Sequence, residues 1–151
     1  MYKIGIISDT HGLLREEVIA HLRECQLILH GGDINKPEII TALEAIAPVK
    51  VVRGNNDKGE WAEMLPETLQ FTVEGKNFFM VHNKKDMIKN RAGIDVVVYG
   101  HSHKYNCTLE DGTYMLNPGS CGKRRFDLAI TMAILTIDQG EIKISQIDIP
   151  H

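Results

Sequence analysis

Short apolar runs rich in isoleucine, leucine and valine recur along the first third of the chain, at Lys3–Ser8, Gln26–His30 and Val49–Arg53. Between them the spacing of apolar positions becomes helical. Leu13–Arg23 places Leu13, Leu14, Val18, Ile19 and Leu22 on one side, the repeat of an amphipathic helix. Lys36–Ile46 follows Asn35, which stands at capping-box distance from Glu38, with Pro37 in the first turn, and predicts a second helix. This alternation predicts a βαβαβ unit with parallel strands.

The remainder reads as β-structure. Gln70–Val73 and Asn77–His82 flank a hairpin turn at Glu74-Gly75-Lys76, and Asp95–Tyr99 is a further buried-strand run. Asp111-Gly112 and Asp138-Gln139-Gly140 mark two more turns, among strands at Tyr105–Leu109, Tyr114–Leu116, Leu128–Ile137 and Glu141–Ile149. In the last of these the alternation Ile142, Ile144 gives way to Ile147, Ile149, which predicts a bulge or other irregularity near Ser145. No repeat, low-complexity tract or linker interrupts the chain, so residues 1–151 are expected to form a single domain.

Composition narrows the class. Hydrophobic residues make up 43% of the chain and charged residues 25%, ordinary for a soluble globular protein. The net charge of −3 argues against a large nucleic-acid partner. Lys84-Lys85 and Lys123-Arg124-Arg125 are the dense basic clusters, read first as solvated loop charge. With no apolar leader, no membrane-length apolar run and three scattered cysteines (Cys25, Cys107 and Cys121), a cytoplasmic protein with reduced thiols is expected. Cys25 reads as packing; Cys121, beside a glycine turn, is a weaker candidate for the site.

Candidate chemistry changes the picture more than composition does. Asp9-Thr10-His11-Gly12, Gly31-Gly32-Asp33, Gly54-Asn55-Asn56-Asp57 and Gly100-His101-Ser102-His103 are compact polar motifs, and His82 ends the apolar run Phe78-Phe79-Met80-Val81. Asp9, Asp33 and Asn55 fall just beyond the ends of predicted parallel strands, where open α/β sheets bind ligands. Asp9, His11, Asp33, Asn55, His82, His101 and His103 mix hard oxygen with imidazole ligands, a set suited to first-row divalent ions and too large for one tetrahedral site. Neither a phosphate-binding P-loop nor a dinucleotide fingerprint is present.

The order of these motifs resembles the calcineurin-like metallophosphoesterase signature along nearly the whole chain. The small size and the Asn117-Pro118-Gly119-Ser120 turn make it most similar to the YfcE-type phosphodiesterases. The resemblance implies an α/β four-layer sandwich: two central mixed β-sheets flanked by helices, with a binuclear metal site at their strand-end edge. It also implies that Asp9, His11, Asp33 and His103 hold one ion and Asp33, Asn55, His82 and His101 the other. The implied cofactor is a pair of divalent ions, Mn first, with Ni, Fe, Zn or Mg as alternatives. The implied reaction is hydrolysis of a small phosphate diester by a metal-bridging hydroxide. A homo-oligomer is compatible with the family.

Two departures stand out. Many superfamily members carry a histidine where this chain has Asn56, and that histidine is thought to protonate the leaving group. An amide does not titrate near neutral pH, so activated esters are the expected substrates. Asp57 is the substitute acid to consider, against a role in fixing the Asn55 loop. The second departure is Asn83 after the ligand His82; with Asn55 it is a candidate substrate contact. His30 fits either support of the ligands or core packing, Asn117 and Ser120 fit the rim or a plain turn, and His21 and His151 are expected bystanders. The rival functions are a phosphomonoesterase, a regulatory binder of cyclic or dinucleotide phosphates, and a non-catalytic metal-binding scaffold of the same fold.

Overall fold

The computed structural model describes residues 1–124 and 127–150; Arg125 of the second basic cluster and His151 lie outside the described residues. Among the described residues ten strands and three short helices follow in the order β1 (Tyr2–Ile7), α1 (Glu16–Leu22), β2 (Leu27–His30), α2 (Pro37–Glu44), β3 (Val49–Val51), α3 (Glu60–Glu63), β4 (Thr68–Val73), β5 (Lys76–Val81), β6 (Val96–Val98), β7 (Asn106–Glu110), β8 (Thr113–Asn117), β9 (Thr131–Asp138) and β10 (Glu141–Asp148). A 3-10 turn, Lys84–Asp86, follows β5. α3 and this turn are too short to generate a periodic signal, and the sequence pattern does not reveal them. None of the described helices is long and apolar enough to cross a membrane.

The strands form two mixed five-stranded sheets, ordered β10-β9-β1-β2-β3 and β4-β5-β6-β8-β7. β1, β2 and β3 are parallel, as the βαβαβ pattern predicts, and β9 joins β1 antiparallel. In the second sheet β5, β6 and β8 run parallel, with β4 and β7 antiparallel at the edges. Alternation along each strand sends every second residue to the core between the sheets. Ile4, Ile6, Leu27 and Leu29 meet Phe78, Met80, Val96, Val98 and Leu116 there. Fully burying one such side chain stabilises by about 1.5–3 kcal/mol, so this shared core fixes how the two sheets sit together.

The opposite face of the first sheet is covered by helices, with Val18, Leu22, Ile39 and Leu43 packed against Ile7, Ile28 and Met132. The outer face of the second sheet is covered differently: Met87 and Ile88 pack over Phe79, Val81 and Val97, in the irregular chain that follows the 3-10 turn. Three hairpins close through Glu74-Gly75, Asp111-Gly112 and Gln139-Gly140, each with two successive left-handed residues (φ 50 and 78°, 51 and 83°, 52 and 80°). This is the backbone that two-residue turns require to match strand twist.

Two local expectations are corrected. β10 pairs with β9 without interruption from Glu141↔Asp138 to Asp148↔Thr131, so there is no bulge at Ser145. Ile142 and Ile144 instead pack on the inter-sheet core while Ile147 and Ile149 pack on the helix side. The edge strand thus serves both cores in turn, which accounts for the break in alternation. The capping box on α2 also does not form. Pro37 opens the helix, but the N-cap is Lys36 and lacks a side-chain cap bond. Asn35 is left-handed (φ 70°), and its side chain serves another purpose.

Candidate metal centre

The carboxyl ends of β1, β2 and β3 in one sheet and of β5 and β6 in the other share one edge, and the loops leaving them carry all seven candidate ligands. Parallel pairing of β1 and β2 continues past the strand ends: Asp9 N–H donates to Gly32 O, His11 N–H to Asp33 O and Gly12 N–H to Ile34 O, at 2.9–3.0 Å. The first two ligand loops are therefore zipped together. Asp9, His11, Asp33, His101 and His103 all have positive φ, between 46 and 76°. Such backbone costs of order 1–3 kcal/mol per residue and persists where the surroundings enforce it, often at functional sites.

Glycines permit the close approach of the loops. A Cβ on Gly54 would collide with Asp33 N and Asp33 Oδ1, and one on Gly100 would collide with Ser8 Oγ. No other residue fits either place without moving a ligand loop.

The ligand atoms converge. Asp9 Oδ1 lies 3.7 Å from His11 Nε2, 3.4 Å from His103 Nε2 and 3.9 Å from His82 Nε2. Asp33 Oδ2 lies 3.6 Å from His11 Nε2 and 3.2 Å from His82 Nε2. The donor atoms form two groups, Asp9, His11, Asp33 and His103, and Asp33, His82 and His101, each within 4.8 Å of one another and sharing Asp33. Asn55 Oδ1 adjoins the second group, 3.2 Å from His101 Nδ1.

Hydrogen bonds behind the ligands fix which atoms face inward. His82 Nδ1 meets the Gly31 carbonyl at 2.7 Å, and a carbonyl only accepts, so Nδ1 holds the proton and Nε2 presents a lone pair. Asn35 Nδ2 donates to Asn56 O, which orients its amide so that Oδ1 accepts from His11 Nδ1 at 2.7 Å. His11 Nε2 is thereby also a lone pair in the neutral ring. Asp9 Oδ1 and His82 Nε2 are buried without a hydrogen-bond partner among the described residues. Lone pairs of carboxylates and imidazoles pointing at one another repel, and a cation between them removes the conflict. The donor set therefore fits divalent metal.

Titration behaviour has the same origin. The Asp9 carboxylate raises the pKa of His11, against burial and with help from Asp33. Burial opposes protonation of His82, but Asp33 and Asp9 outweigh it and raise its pKa. Burial would raise Asp33, yet His82 and the Asn56 backbone N–H hold it well below the usual carboxylate range.

The remaining candidates have definite places. Asn56 donates from its backbone N–H to Asp33 Oδ1 and from Nδ2 to Asp33 Oδ2. Asp57 is buried, and its carboxylate accepts from the N–H groups of Asp33, Asn35 and Gly54 at 2.8–3.0 Å, so it faces backbone. Asn83 Oδ1 accepts from Lys85 N–H and caps the 3-10 turn, on the wall between two clefts. His30, buried, accepts from Gly32 N–H at Nδ1, leaving Nε2–H to donate to Thr10 Oγ1. It ties the first loop to the second, and desolvation pushes its pKa down to about 4. Asn117 Nδ2 donates to Gly100 O, and Ser120 Oγ to Asp9 O, so that turn supports two ligand loops. Cys121 is buried and desolvation pushes its thiol up to about 12, which removes it from consideration as a reactive group.

Sequence reasoning missed Ser8, whose hydroxyl donates to Asp9 Oδ2 at 2.7 Å, and the support that Asn35 gives His11. For Ser8 the sequence offers no signal beyond adjacency to a ligand. For Asn35 the stronger local signal was helix capping.

The profile of the calcineurin-like phosphoesterase superfamily domain matches residues 2–140. A probable metallophosphoesterase of Methanothermobacter thermautotrophicus is 37% identical over 132 residues, covering 78% of this chain and 76% of that protein. A Methanocaldococcus jannaschii protein named phosphodiesterase is 29% identical over 139 residues, covering 79% of this chain and 84% of that one. Vps29 of Chaetomium thermophilum superposes with a TM-score of 0.76 at 15% identity, over 97% of this chain and 96% of that one, a likeness of fold.

Proposed function

We propose that this chain, which belongs to the calcineurin-like phosphoesterase superfamily, is a phosphodiesterase that works with two divalent ions. The observation that carries the reading is the pair of donor groups that share Asp33. One ion would be held by Asp9, His11, Asp33 and His103, the other by Asp33, Asn55, His82 and His101. Asp33 is suited to bridging because, among the described residues, it alone belongs to both groups and offers two charged oxygens. When bound, such ions activate water and polarise the phosphoryl oxygens.

The chain's own residues set the geometry. Asn35 and Gly31 O hold His11 and His82 with their Nε2 lone pairs inward. Asn56 donates to both oxygens of Asp33 and so positions that carboxylate. Asp57 is assigned a positioning role, because its carboxylate already receives three backbone N–H groups. Asn55 is exposed at the rim beside His101, where its amide can meet an equatorial phosphoryl oxygen. With an amide at Asn56, no titrating group there assists departure of the alcohol. Esters with good leaving groups should therefore react fastest, since a general acid contributes roughly 10²–10⁴ in rate. Kinship with a protein named phosphodiesterase favours diesters over monoesters.

The test uses metal-stripped protein reconstituted separately with Mn, Ni, Zn and Mg, offered bis-aryl and mono-aryl phosphates. Metal-dependent turnover with the diester faster is expected, Mn being the first candidate. A faster monoester would replace the reading with a phosphomonoesterase; folded, metal-loaded protein inert to both esters would favour a scaffold. Asp57→Asn should keep the shape of the pH–rate profile, and loss of its acid limb would restore Asp57 as a proton donor.

A further inference from the structure

One cleft beside the metal centre has a composition unlike the rest of the chain. It has a volume of about 640 Å³ and opens directly onto His101 and Gly100, within the range of sites that enclose small organic ligands. Lys84, Lys85 and Lys104 stand on its walls, and among the described residues no Asp or Glu lines it, although the whole chain carries a net charge of −3. Among the described residues none of these lysines lies within salt-bridge distance of a carboxylate. Their usual neutralising partners are absent from a cleft that already faces a phosphate-binding centre.

Two tyrosines also line the cleft, the buried Tyr99 and the half-buried Tyr105, with Lys84 Nζ 5.6 Å from the centroid of the Tyr99 ring. The Tyr99 hydroxyl accepts from Asn106 Nδ2 at 3.0 Å, so that ring is fixed. Lys84 and Lys85 are presented by the 3-10 turn that Asn83 caps, and Lys104 directly follows the ligand His103. Both groups of cations are thus anchored to the ligand loops. The second cleft, about 440 Å³, contrasts with this one, because Arg53 shares its lining with Glu67 and Asp86.

We propose that the lysine-lined cleft binds one ester arm of the substrate, and that this arm carries a second phosphate on a nucleoside. The inference rests on the phosphodiesterase reading for the identity of the bond cleaved. Lys84, Lys85 and Lys104 pair with the second phosphate, while the sugar or base lies against the half-buried Tyr105. These residues act as specificity determinants and touch neither the metal ligands' inner atoms nor the scissile phosphorus.

Calorimetric titration of the metal-loaded protein with a nucleoside 3′,5′-bisphosphate, the 5′-monophosphate and 1,3-propanediol bisphosphate tests this. The nucleoside bisphosphate should bind at least about tenfold more tightly than the monophosphate, the scale of one charge-assisted hydrogen bond. In the Lys84→Ala/Lys104→Ala variant the gap should shrink to about twofold or less, while Lys123→Ala, a charge loss outside the cleft, should keep it. Equal affinities in the wild type, or a gap that survives the double variant, would overturn the proposal. Equally tight binding of the propanediol compound would overturn the nucleoside part. Bis-aryl phosphate turnover by the wild type is followed in parallel. Its absence in the wild type would sink the phosphodiesterase reading, while the titrations would still decide whether the cleft takes a second phosphate.

Discussion

The two donor groups share a carboxylate but differ in how the fold surrounds them. Asp9, Asp33 and His103 are buried, and His11 is nearly so; Asp9, His11 and Asp33 sit in loops zipped by backbone bonds between the first two strand ends, and His103 reaches them from the loop after β6. Around the second group, His82 is buried, whereas His101 and Asn55 are exposed and look onto clefts. On the proposed reading the deep position is built to retain its ion and the outer one to meet substrate. The teaching is that one edge of one fold supplies both by varying burial alone, since the ligand chemistry of the two groups is nearly the same.

The largest effect that would break the comparison is loss of the shared ligand. Asp33→Asn should lower diester turnover by at least about 10³, because it removes several kcal/mol of charge stabilisation from both positions. A loss below about tenfold, measured with the same metal, would mean that the groups do not depend on one carboxylate.

Next in size is a pH effect. His30 holds a pKa of about 4 in the folded protein against an ordinary 6.5. As pH falls the unfolded chain takes up this proton first, so the stability His30 contributes is full above pH 6.5 and is lost as pH drops toward 4. The amount is on the order of 3 kcal/mol. His11 and His82, with raised values, act oppositely in metal-free protein: their contribution is present below the ordinary value and lost as pH rises through the raised one. Urea unfolding of metal-free wild type and His30→Asn across pH 4–7 should show the acid-side slope in the wild type only. Parallel curves would remove His30 from this account.

Asn35→Ala separates the two positions. Removing the bond that orients His11 should weaken the deep ion by about 10–100-fold, typical of losing a group that holds a ligand, and leave the outer ion's affinity within about twofold. Equal weakening of both in a metal titration would show that Asn35 acts on the fold as a whole. Smallest are the glycine effects. Gly54→Ala forces a Cβ against Asp33 and should cost about 1–3 kcal/mol. Gly75→Ala meets open space at φ +78° and should cost about 1 kcal/mol. Thermal unfolding ranks them, and a reversed order would contradict the crowding at Gly54.

Much of the fold was legible because periodicity reports burial. The parallel strands, the helices between them and the Gly-marked hairpins all follow from which side chains must leave water. Strand ends then locate the polar motifs, so the convergence of Asp9, Asp33 and Asn55 on one edge could be anticipated. What resisted reading depends on contacts between distant residues. Asn35 has a good local use as a cap, and only the structure shows it turned toward His11 and Asn56. Asp57 looks like a spare acid until its carboxylate is seen to bind three backbone N–H groups from two loops. In β10, two cores pull on one strand, and a one-core pattern rule mistakes the change for a bulge. Lys84-Lys85 looked like solvated charge, because the sequence does not show that Lys104 joins the same cleft.

The central claim is that two ions share Asp33, and a metal titration tests it most directly. Metal-stripped protein would be titrated with Mn while bound ions per chain and bis-aryl phosphate turnover are followed together, with Asp33→Asn alongside. The account predicts two ions per chain, turnover that appears only as the second site fills, and neither full loading nor turnover in Asp33→Asn. Full activity with one ion bound, or a variant that still loads two ions and turns over diester, would contradict it.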